Sequence, residues 1–570
     1  MSIKVSDYIV NFLIEKGVTD IFGYPGGMVT HLMDSFSKRE NEIKAHLNYH
    51  EQAAAFCACG YAQASGKTGI AYATSGPGAT NLITGIANAW FDSIPTIFIT
   101  GQVNTFEAKN AFGIRQNGFQ ETDVISMVKS ITKYCTYISR VEDIRYELEK
   151  AWYYANAGRK GPVLLDIPMN IQRGEIEADE LISFHNHAIE STEKTIALNE
   201  FREMIKQSKR PVILVGAGVK IAEAEKIFQK VIEQWNIPVV SSMIAFDVLE
   251  RNHPNFYGFI GAYGERTANF IVAKSDLVIA MGSRLGIRQV GGKVEGFAPK
   301  AKLVRIDVDS NEFSKKIKDD ELEIECDIKD FLSEVYRMSL EFQDMRNWLS
   351  VCNIIREKLK KVDICKENSI IRLLSDKVPE EIVVTTDVGQ NQVWVAQSFQ
   401  TKKNQKVLFS GGHGAMGYSL PAAIGAYYGR KCPVLCFNGD GGFQMNMQEL
   451  QFVVRENLPI TIVILNNSAL GMIRHFQEMY FNSNFFQTLG VGGYTVPEFE
   501  KIADAYGLAY YKICEEEDIK KLKIELNKPK IIEIFLNEYT YVYPKLEYGK
   551  PNQDQVPLLE REMYDYLMRL

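Results

Sequence analysis

The sequence predicts an α/β protein made of three successive doubly wound parallel-sheet domains followed by a C-terminal tail. Short runs of apolar, mostly β-branched residues alternate with segments of helical spacing along nearly the whole chain, for example at 212–215, 434–437 and 460–465. Such alternation is typical of parallel sheets that are covered by helices on both faces. At 570 residues the chain is also too long for one hydrophobic core, which indicates several domains.

The predicted units follow one another along the chain. The first ends at a strand over 163–167, and a polar stretch at 185–200 indicates a linker to the second. The tail is proline-rich and then helical, which indicates that it folds back over the rest of the protein. The predicted ranges are 1–175, 190–340 and 360–540 for the three domains and 541–570 for the tail.

Composition and charge narrow the classes of protein to which the chain can belong. With 46% hydrophobic and 24% charged residues, it has the composition of a globular protein. A net charge of −7 argues against nucleic acid and anionic membranes as partners, and no apolar run reaches the length of a membrane span. Nine scattered cysteines, and an amphipathic helix in place of a signal peptide at the N-terminus, predict a reduced, cytoplasmic protein.

Residues 438–467 are the most informative segment. They predict a strand, a turn at Gly439-Asp440-Gly441, a helix over 445–456, and a second strand that ends at Asn466-Asn467. Two buried strands joined by a helix are almost always parallel, so Asp440 and Asn467 meet at one sheet edge although they are 27 positions apart. A carboxylate and an amide oxygen suit Mg²⁺, and the glycines let backbone N–H groups approach a diphosphate. The alternative is an ordinary strand-end turn with a chance Asn pair.

This segment resembles the magnesium-diphosphate signature of thiamine diphosphate enzymes. On that resemblance the metal ligands are the side chains of Asp440 and Asn467 and the backbone carbonyl of Ala469. The segment 385–397 resembles the family's diphosphate loop, and 410–426 resembles the loop that places an apolar side chain, here Met416, under the coenzyme. The other coenzyme-binding residues implied in this domain are Gly389, Gln390, Asn391, Gly414, Gly441, Gly442 and Met472.

The first domain carries a second match. Its segment 49–81 resembles the acetohydroxyacid synthase (acetolactate synthase) family over nearly its whole length. Thiamine chemistry requires an acid beside the aminopyrimidine ring, and the resemblance assigns that role to Glu51 at a predicted strand-to-helix turn. It also implies that Gly27, Pro77 and Asn81 border the coenzyme and that Gln120 faces the substrate. A lone glutamate at a helix start would otherwise be read as a residue that stabilises the helix dipole.

The resemblance also has consequences for assembly. In this family the two halves of the coenzyme are held by different subunits, which implies a homodimer or homotetramer with active sites at the subunit interface. The sequence carries no signal for or against a regulatory subunit.

The middle domain contains a partial dinucleotide fingerprint. The Gly216-Ala217-Gly218 turn follows a predicted strand, but the third glycine position is occupied by Ile221, so the pattern alone is weak. The segments 257–270 and 276–292 resemble the FAD-binding form of this domain. The residues implied to bind FAD are Gly216, Gly218, Arg284 and Asp307. The alternative is an empty scaffold, as in simple thiamine diphosphate decarboxylases.

The substrate side departs from the family pattern. Phe476 stands where branched-chain synthases carry Trp, Leu470 where they carry Gln, Ile287 where they carry Asp, and His413 where they carry Leu. The loop from residue 101 to residue 119 is also longer than theirs. The resemblance implies substrate contacts at Phe112, Arg288 and Phe476.

The leading functional hypothesis is decarboxylation of a 2-keto acid, with pyruvate expected, and carboligation of the two-carbon unit to a second carbonyl compound. One alternative keeps this donor chemistry but uses another acceptor, such as a nucleotide-linked keto sugar. A second is a flavin-dependent pyruvate oxidase. A third is a catalytically silent homologue, against which the presence of Glu51, Asp440 and Asn467 together argues.

Overall fold

The computed structural model describes residues 2–109, 112–185, 194–362 and 365–570. Three six-stranded sheets follow one another along the chain, and every strand pair within them is parallel. The predicted α/β class with three doubly wound domains is therefore confirmed, whereas the boundaries between the domains stay predictions. No helix in the described part of the chain combines the length and the apolar character that crossing a bilayer requires.

The first domain contains a six-stranded sheet and a separate antiparallel pair, β1 and β8. Its strands are β1 (Ser2–Lys4), β2 (Asp20–Gly23), β3 (Lys44–Leu47), β4 (Gly69–Ala73), β5 (Thr96–Gln102), β6 (Tyr134–Tyr137), β7 (Pro162–Pro168) and β8 (Glu175–Glu177). Its helices are α1 (Val5–Glu15), α2 (Thr30–Lys38), α3 (Glu51–Ser65), α4 (Pro77–Asn81), α5 (Ile83–Asp92), α6 (Val124–Val128), α7 (Ile144–Asn156) and α8 (Met169–Gln172). The sheet order is β3-β2-β4-β5-β7-β6. Strands β5 and β7 are buried at every position, as expected for central strands with helices on both faces.

The middle domain has a different strand order, β11-β10-β9-β12-β13-β14. Its strands are β9 (Pro211–Val215), β10 (Val239–Ser241), β11 (Phe256–Phe259), β12 (Leu277–Met281), β13 (Lys302–Asp307) and β14 (Leu322–Glu325). Its helices are α9 (Lys194–Gln207), α10 (Gly218–Ile221), α11 (Glu225–Trp235), α12 (Arg266–Lys274), α13 (Ile287–Val290) and α14 (Ile328–Arg337), and α15 (Arg346–Leu359) follows them. This is the strand order of dinucleotide-binding folds, in which ligands bind where the order reverses, here between β9 and β12.

The third domain repeats the topology of the first, with the order β16-β15-β17-β18-β20-β19. Its strands are β15 (Val383–Thr386), β16 (Lys406–Leu408), β17 (Val434–Gly439), β18 (Ile460–Asn466), β19 (Ala509–Ile513) and β20 (Lys530–Phe535). Its helices are α16 (Lys366–Asp376), α17 (Gln390–Ser398), α18 (Ser419–Arg430), α19 (Asp440–Met445), α20 (Leu450–Arg455), α21 (Gly471–Tyr480), α22 (Phe499–Ala505) and α23 (Glu516–Lys521); the tail ends in α24 (Arg561–Arg569). The order reverses between β2 and β4 in the first sheet and between β15 and β17 in the third, so both sheets offer an equivalent crevice at their carboxyl edge.

Helices α3 and α18 join the first domain to the third by close backbone packing. A Cβ atom on Gly60 would lie 2.2 Å from the carbonyl oxygen of Ala422, and one on Gly425 would lie 1.9 Å from that of Cys57. No side chain fits at either glycine, which lets the two helices touch along their backbones.

Three segments differ from or refine the sequence prediction. The helix expected over 445–456 is interrupted at Asn446, whose side chain donates to Gln52 and to the carbonyl of Gly417 instead of pointing to solvent. Of the linker predicted at 185–200, residues 186–193 lie outside the described residues, and residues 194–200 already belong to α9, which begins at Lys194. The tail does fold back, onto the middle domain, where Arg266 donates to the carbonyl of Gln555 over 2.9 Å.

Candidate active site

The third sheet brings together the two side chains predicted to bind a metal. Asp440 follows β17 and Asn467 follows β18, which are neighbouring parallel strands. The backbone N–H of Asn467 donates to Oδ2 of Asp440 over 3.0 Å, and both residues are buried. They therefore lie side by side at the carboxyl edge of the sheet, next to the reversal in strand order.

Three oxygen atoms converge at this point. Oδ1 of Asn467 lies 3.1 Å from Oδ2 of Asp440 and 3.0 Å from the carbonyl oxygen of Ala469. An inverted amide would donate to both oxygens, but it would place its own oxygen 2.9 Å from Oε1 of Gln390, acceptor against acceptor. The converging orientation in turn leaves Oδ1 of Asn467 against two acceptors, so it is satisfied only when a cation lies among the three oxygens. Oxygen atoms this close repel one another unless a cation lies among them, so the set fits a hard divalent cation such as Mg²⁺.

The amide of Asn467 is held in this orientation from its other side. Its Nδ2 donates to Oε1 of Gln390 over 2.9 Å and to Oγ1 of Thr540 over 2.8 Å. Gln390 is fixed in turn, because its Nε2 donates to the carbonyl of Thr540 over 2.8 Å. Sequence reasoning missed Thr540, which follows the last strand of the sheet and belongs to no local motif.

Burial governs the acidity of Asp440. It raises the pKa of this carboxyl to about 6, although the hydroxyl of Tyr494 and the backbone N–H groups of Asn467, Ser468 and Ala469 act in the opposite direction. A carboxylate removed from water is costly unless a cation or several donors satisfy it. The donor set, one buried carboxylate, one amide oxygen and one carbonyl, thus matches the predicted metal. Among the described residues, no group of three or more His, Cys, Asp or Glu side chains forms an alternative metal site.

Asp387 connects the turns around this point, and sequence reasoning also missed it. Its carboxylate accepts from the backbone N–H groups of Val388 over 2.9 Å, Gly417 over 3.0 Å and Ser419 over 3.0 Å. A Cβ on Gly442 would lie 2.3 Å from Oδ1 of Asp387, so only glycine fits there. Burial raises the pKa of Asp387 to about 6. The available signal was its place directly after a strand at the same sheet edge.

The loop that carries Met416 closes over the Asp440 turn. Gly414 and Gly417 on either side of it have φ values of 70° and 82°, which side chains rarely adopt. The Met416 methyl carbon lies 3.5 Å from the position that a Cβ on Gly441 would occupy. The apolar side chain and the glycine turn thus face one another, while the place of Met416 under a coenzyme stays a prediction.

A cavity of about 1090 Å³ runs from this turn into the middle domain. That volume is slightly above the usual range of about 300–1,000 Å³ for ligand pockets. The predicted coenzyme, metal and flavin residues that line it are Gly389, Gln390, Asn391, Gly414, Met416, Asp440, Gly441, Gly442, Asn467, Ala469, Met472, Gly216, Gly218, Arg284 and Asp307.

The middle-domain part of the cavity lies at the reversal between β9 and β12. A Cβ on Gly216 would lie 2.1 Å from the carbonyl oxygen of Gly282, so packing between these two turns is itself a reason for glycine there. Asp307, at the end of β13, is largely buried, which raises the pKa of its carboxyl. The open crevice fits an elongated ligand, whereas Gly216 is not specific evidence for one.

The predicted substrate residues divide into two groups. Arg288 lines the cavity beside Ile287, and among the described residues its guanidinium has no hydrogen-bond partner. Phe476 and Phe112 do not line the cavity and are 51% and 67% exposed. Phe476 lies one helical turn after Met472, which does line the cavity, so it stands at the rim on the same side of α21.

The residues predicted to bind the other half of the coenzyme form a separate cluster in the first domain. Glu51 is buried, and its Oε2 accepts from Nδ2 of Asn81 over 2.9 Å. A Cβ on Gly78 would lie 3.2 Å from Oε1 of Glu51, so the turn that begins α4 at Pro77 passes directly beside the carboxylate. The cluster occupies the carboxyl edge of the first sheet, where the strand order reverses.

Gln120 and Gly27 border the same cluster. Gln120 has a φ of 64°, an unusual value for a residue with a side chain. A Cβ on Gly76 would lie 2.9 Å from the Cβ of Gln120. Gly27 is exposed at the end of the turn after β2, and the next residue, Met28, donates through its backbone N–H to Oγ1 of Thr74 over 3.2 Å. None of the five predicted residues Gly27, Glu51, Pro77, Asn81 and Gln120 lines the 1090 Å³ cavity.

One chain therefore presents two candidate half-sites. The first-domain cluster carries the buried acid, and the third-domain turn carries the converging oxygens and opens into the cavity. The half-sites occupy equivalent crevices of two sheets with the same topology.

Comparison with known proteins gives matches to all three domains. The thiamine pyrophosphate enzyme N-terminal TPP binding domain matches residues 3–127, the central domain of the same enzymes matches 198–335, and their C-terminal TPP binding domain matches 387–534. The last match contains Asp440, Asn467 and Ala469, and the first contains Glu51.

Three relatives that align along nearly the whole chain are acetolactate synthases. The chain is 34% identical to acetolactate synthase isozyme 2 large subunit of Escherichia coli, over 97% of this chain and 99% of that protein. It is 35% identical to a probable acetolactate synthase large subunit of Methanocaldococcus jannaschii, over 94% and 92%. It is 34% identical to the chloroplastic acetolactate synthase 2 of Nicotiana tabacum, over 97% and 85%.

Proposed function

The chain belongs to the acetolactate synthase large-subunit family of thiamine pyrophosphate enzymes, and from that premise we propose that it decarboxylates pyruvate and joins the remaining two-carbon unit to a second carbonyl compound. The observation that carries this proposal is the convergence of the Asp440, Asn467 and Ala469 oxygens in the lining of the cavity. Neither a nucleotide-linked keto sugar as acceptor nor a pyruvate oxidase activity is favoured, since the relatives are acetolactate synthases.

Magnesium and the diphosphate are proposed to bind at the third-domain turn. Asp440, Asn467 and Ala469 would hold the metal, because they supply the few hard oxygens that Mg²⁺ prefers and leave the remaining positions to phosphate and water. The turn at Gly441 and Gly442 has no side chains to keep a diphosphate from its backbone N–H groups. Met416 would support the middle of the coenzyme from below.

When bound, thiamine diphosphate supplies the carbon nucleophile and the electron sink that decarboxylation needs. The chain's own residues would hold a proton at the coenzyme ring and orient the substrate. Glu51 would hold a proton at the aminopyrimidine ring, and Asn81 keeps Oε2 of that carboxylate oriented. Arg288, which lines the cavity with an unpaired guanidinium among the described residues, would orient the carboxylate of a 2-keto acid.

A second copy of the chain is proposed to complete each site. Glu51 does not line the cavity that contains Asp440, although coenzyme activation requires the acid and the metal-bound diphosphate at one molecule. Aromatic side chains around the Glu51 half-site are exposed in the single chain, among them Tyr24 at 40% and Phe119 at 78%. A partner's third domain placed against this face would bury them and bring the half-sites together, which gives a homodimer or a homotetramer of dimers.

FAD is proposed to occupy the middle-domain part of the cavity. Support comes from the strand order of this domain and from the crevice at its reversal point, which Gly218, Arg284 and Asp307 line. The proposal is tested by the colour and absorbance of the purified protein. A flavin absorbance spectrum, from a cofactor that is released on denaturation, supports the proposal. A colourless protein that gains neither stability nor activity from added FAD contradicts it.

Product analysis tests the proposed activity. We expect the protein, supplied with thiamine diphosphate, Mg²⁺ and pyruvate, to release CO₂ and form acetolactate, identified by mass spectrometry. The Asp440→Ala variant serves as the control. Consumption of pyruvate with flavin reduction and no carbon–carbon bond formation would replace this proposal by the oxidase.

A further inference from the structure

The third domain forms hydrogen bonds with the residues on both sides of Glu51 within the same chain. The segment that makes them runs from Asn446 to Glu449 and lies between the two predicted metal ligands in sequence. Its partners are Asn48, Tyr49 and His50 before Glu51 and Gln52 after it.

Glu449 holds the preceding turn. Its exposure is 0%, and its carboxylate accepts from Nδ2 of Asn48 over 2.9 Å and from the backbone N–H of Tyr49 over 2.8 Å. The backbone N–H of His50 also donates to it. Three donors from the last residues before Glu51 thus converge on one side chain of another domain. Burial raises the pKa of Glu449 to about 7.

Asn446 holds the residue that follows. It is 1% exposed, and its Nδ2 donates to Oε1 of Gln52 over 3.2 Å and to the carbonyl of Gly417 over 2.8 Å. This contact is the reason that the predicted helix breaks at Asn446. The interruption gives the segment the geometry to reach the first domain on both sides of Glu51.

We propose that Glu449, assisted by Asn446, is a positioning residue that fixes the carboxylate of Glu51 in its own chain. The inference rests on the proposed function, since it presumes that Glu51 activates a coenzyme. Glu449 itself touches neither the predicted metal ligands nor the cavity. It acts through the turn 48–50, which sets where α3 begins and therefore where its first residue, Glu51, points.

The substitution Glu449→Gln separates this role from simple space filling. Glutamine has the same shape, but its single acceptor oxygen cannot accept from the Asn48 side chain and from the backbone N–H groups of Tyr49 and His50 together, as the carboxylate does. The turn must then shift or lose one of these hydrogen bonds. A displacement of about 1 Å at a catalytic group can cost about 10²-fold in rate.

The experiment compares coenzyme affinity with coenzyme activation in the assembled protein. Affinity for thiamine diphosphate with Mg²⁺ is measured by calorimetry, and activation is measured by NMR as exchange of the C2 proton of the bound coenzyme. We expect Glu449→Gln to bind within about threefold of the wild type and to exchange about 10²-fold more slowly. Exchange at the wild-type rate would overturn the proposal, as would equal losses in affinity and exchange.

Glu456→Gln is the matched control. Glu456 also joins the third domain to the first, through a contact of 3.3 Å with Nζ of Lys44, but it does not touch the turn 48–50. We expect it to leave exchange unchanged. A similar loss in this variant would show that general weakening of the domain contact, and not the position of Glu51, controls exchange.

Mixed dimers test that the effect is confined to one chain. A chain with Asp440→Ala paired with a chain with Glu51→Gln retains one site, built from the Glu51 of the first and the Asp440 of the second. We expect Glu449→Gln to impair that site only when it is placed on the chain that supplies Glu51. Equal impairment from either chain would overturn the proposal. If Glu449→Gln does not fold, Asn446→Ala, which removes the contacts with Gln52, with the carbonyl of Gly417 and with Gln448, replaces it with the same criteria.

Failure of this inference is distinguishable from failure of the proposed function. The positioning role and the proposed function are both supported if the wild type exchanges rapidly and the variant exchanges slowly with normal affinity. Rapid exchange in both proteins overturns only the positioning role. Absence of coenzyme binding or exchange in the wild type overturns the proposed function and this inference with it.

Discussion

The hydroxyl of Tyr494 donates to Oδ1 of Asp440 over 2.5 Å, while Oδ2 of the same carboxylate lies 3.1 Å from Oδ1 of Asn467. A loop residue distant in sequence thus orients the predicted metal ligand. Hydrogen bonds of this kind to metal-binding groups fix the direction in which the ligand atom points.

Removal of this hydroxyl is expected to weaken metal binding without abolishing it. The side chain of Tyr494→Phe still packs in the loop, but Oδ1 of Asp440 loses its donor. Loss of such an outer contact typically costs about 10–100-fold in metal affinity. Titration of the variant with Mg²⁺ in the presence of saturating thiamine diphosphate measures the effect, and an affinity equal to that of the wild type would show that Tyr494 has no part in the site.

Glu51→Gln is expected to bind the coenzyme and lose turnover. Glutamine keeps an oxygen that can accept from Asn81, so the pocket is preserved, but it cannot hold a transferable proton. Removal of a positioned acid–base group costs about 10²–10⁴-fold. Steady-state rates with pyruvate check this, with Glu42→Gln as an exposed control in the same domain. A turnover within about threefold of the wild type would refute the role of Glu51.

The pH dependence of stability is expected to reveal a buried acid in the first domain. The carboxylate of Asp166 accepts from Thr100 over 2.7 Å and from Gln102 over 3.0 Å, and burial raises its pKa to about 7. An unfolded aspartate has a pKa of about 3.9, so the native state favours the protonated form. The resulting stabilisation is complete below about pH 4 and is lost as the pH rises through about 7.

Asp166→Asn is expected to remove this dependence, because asparagine can donate to Thr100 and accept from Gln102. Between pH 5 and pH 8, the free energy of unfolding of the variant should rise by about 2 kcal/mol relative to that of the wild type. This corresponds to about 4–8 °C in the unfolding midpoint of a domain of this size. Thermal unfolding of both proteins at each pH measures it. Parallel pH profiles would contradict the assignment.

The acceptor preference is expected to differ from that of branched-chain synthases. Phe476 is smaller than the tryptophan of that family and has no N–H, and Ile287 removes a carboxylate beside Arg288. A preference that depends on one methylene is worth about 1–3 kcal/mol, which such changes can erase. We expect no strong preference for 2-ketobutyrate over pyruvate as acceptor, and a shift toward 2-ketobutyrate in Phe476→Trp. Competition between equal concentrations decides this, and a strong wild-type preference would contradict it.

The sequence predicted the fold and the juxtaposition of Asp440 and Asn467 because both depend on local patterns. Buried β-branched strands and the rule for parallel crossovers are enough to place Asp440 beside Asn467. Resemblance supplied Glu51 and Met416, whose residue types alone are uninformative.

The remaining features depend on contacts between segments that no local pattern links. Thr540 and Tyr494 reach Asn467 and Asp440 from distant loops, so nothing near either residue marks it. Asn446 breaks a segment of good helical spacing because its partners, Gln52 and Gly417, lie in another domain and another loop. Tertiary contacts of this kind override local propensity.

The oxygen cluster at Asp440 is tested most directly by calorimetric titration of Asp440→Ala with thiamine diphosphate and Mg²⁺, with the exposed Asp504→Ala as the matched control. We expect the Asp440 variant to keep its fold and to lose detectable coenzyme binding, because the remaining amide and carbonyl oxygens cannot hold the cation alone, while the control binds like the wild type. Normal affinity in Asp440→Ala would contradict the assignment of the metal site and, with it, the proposed function.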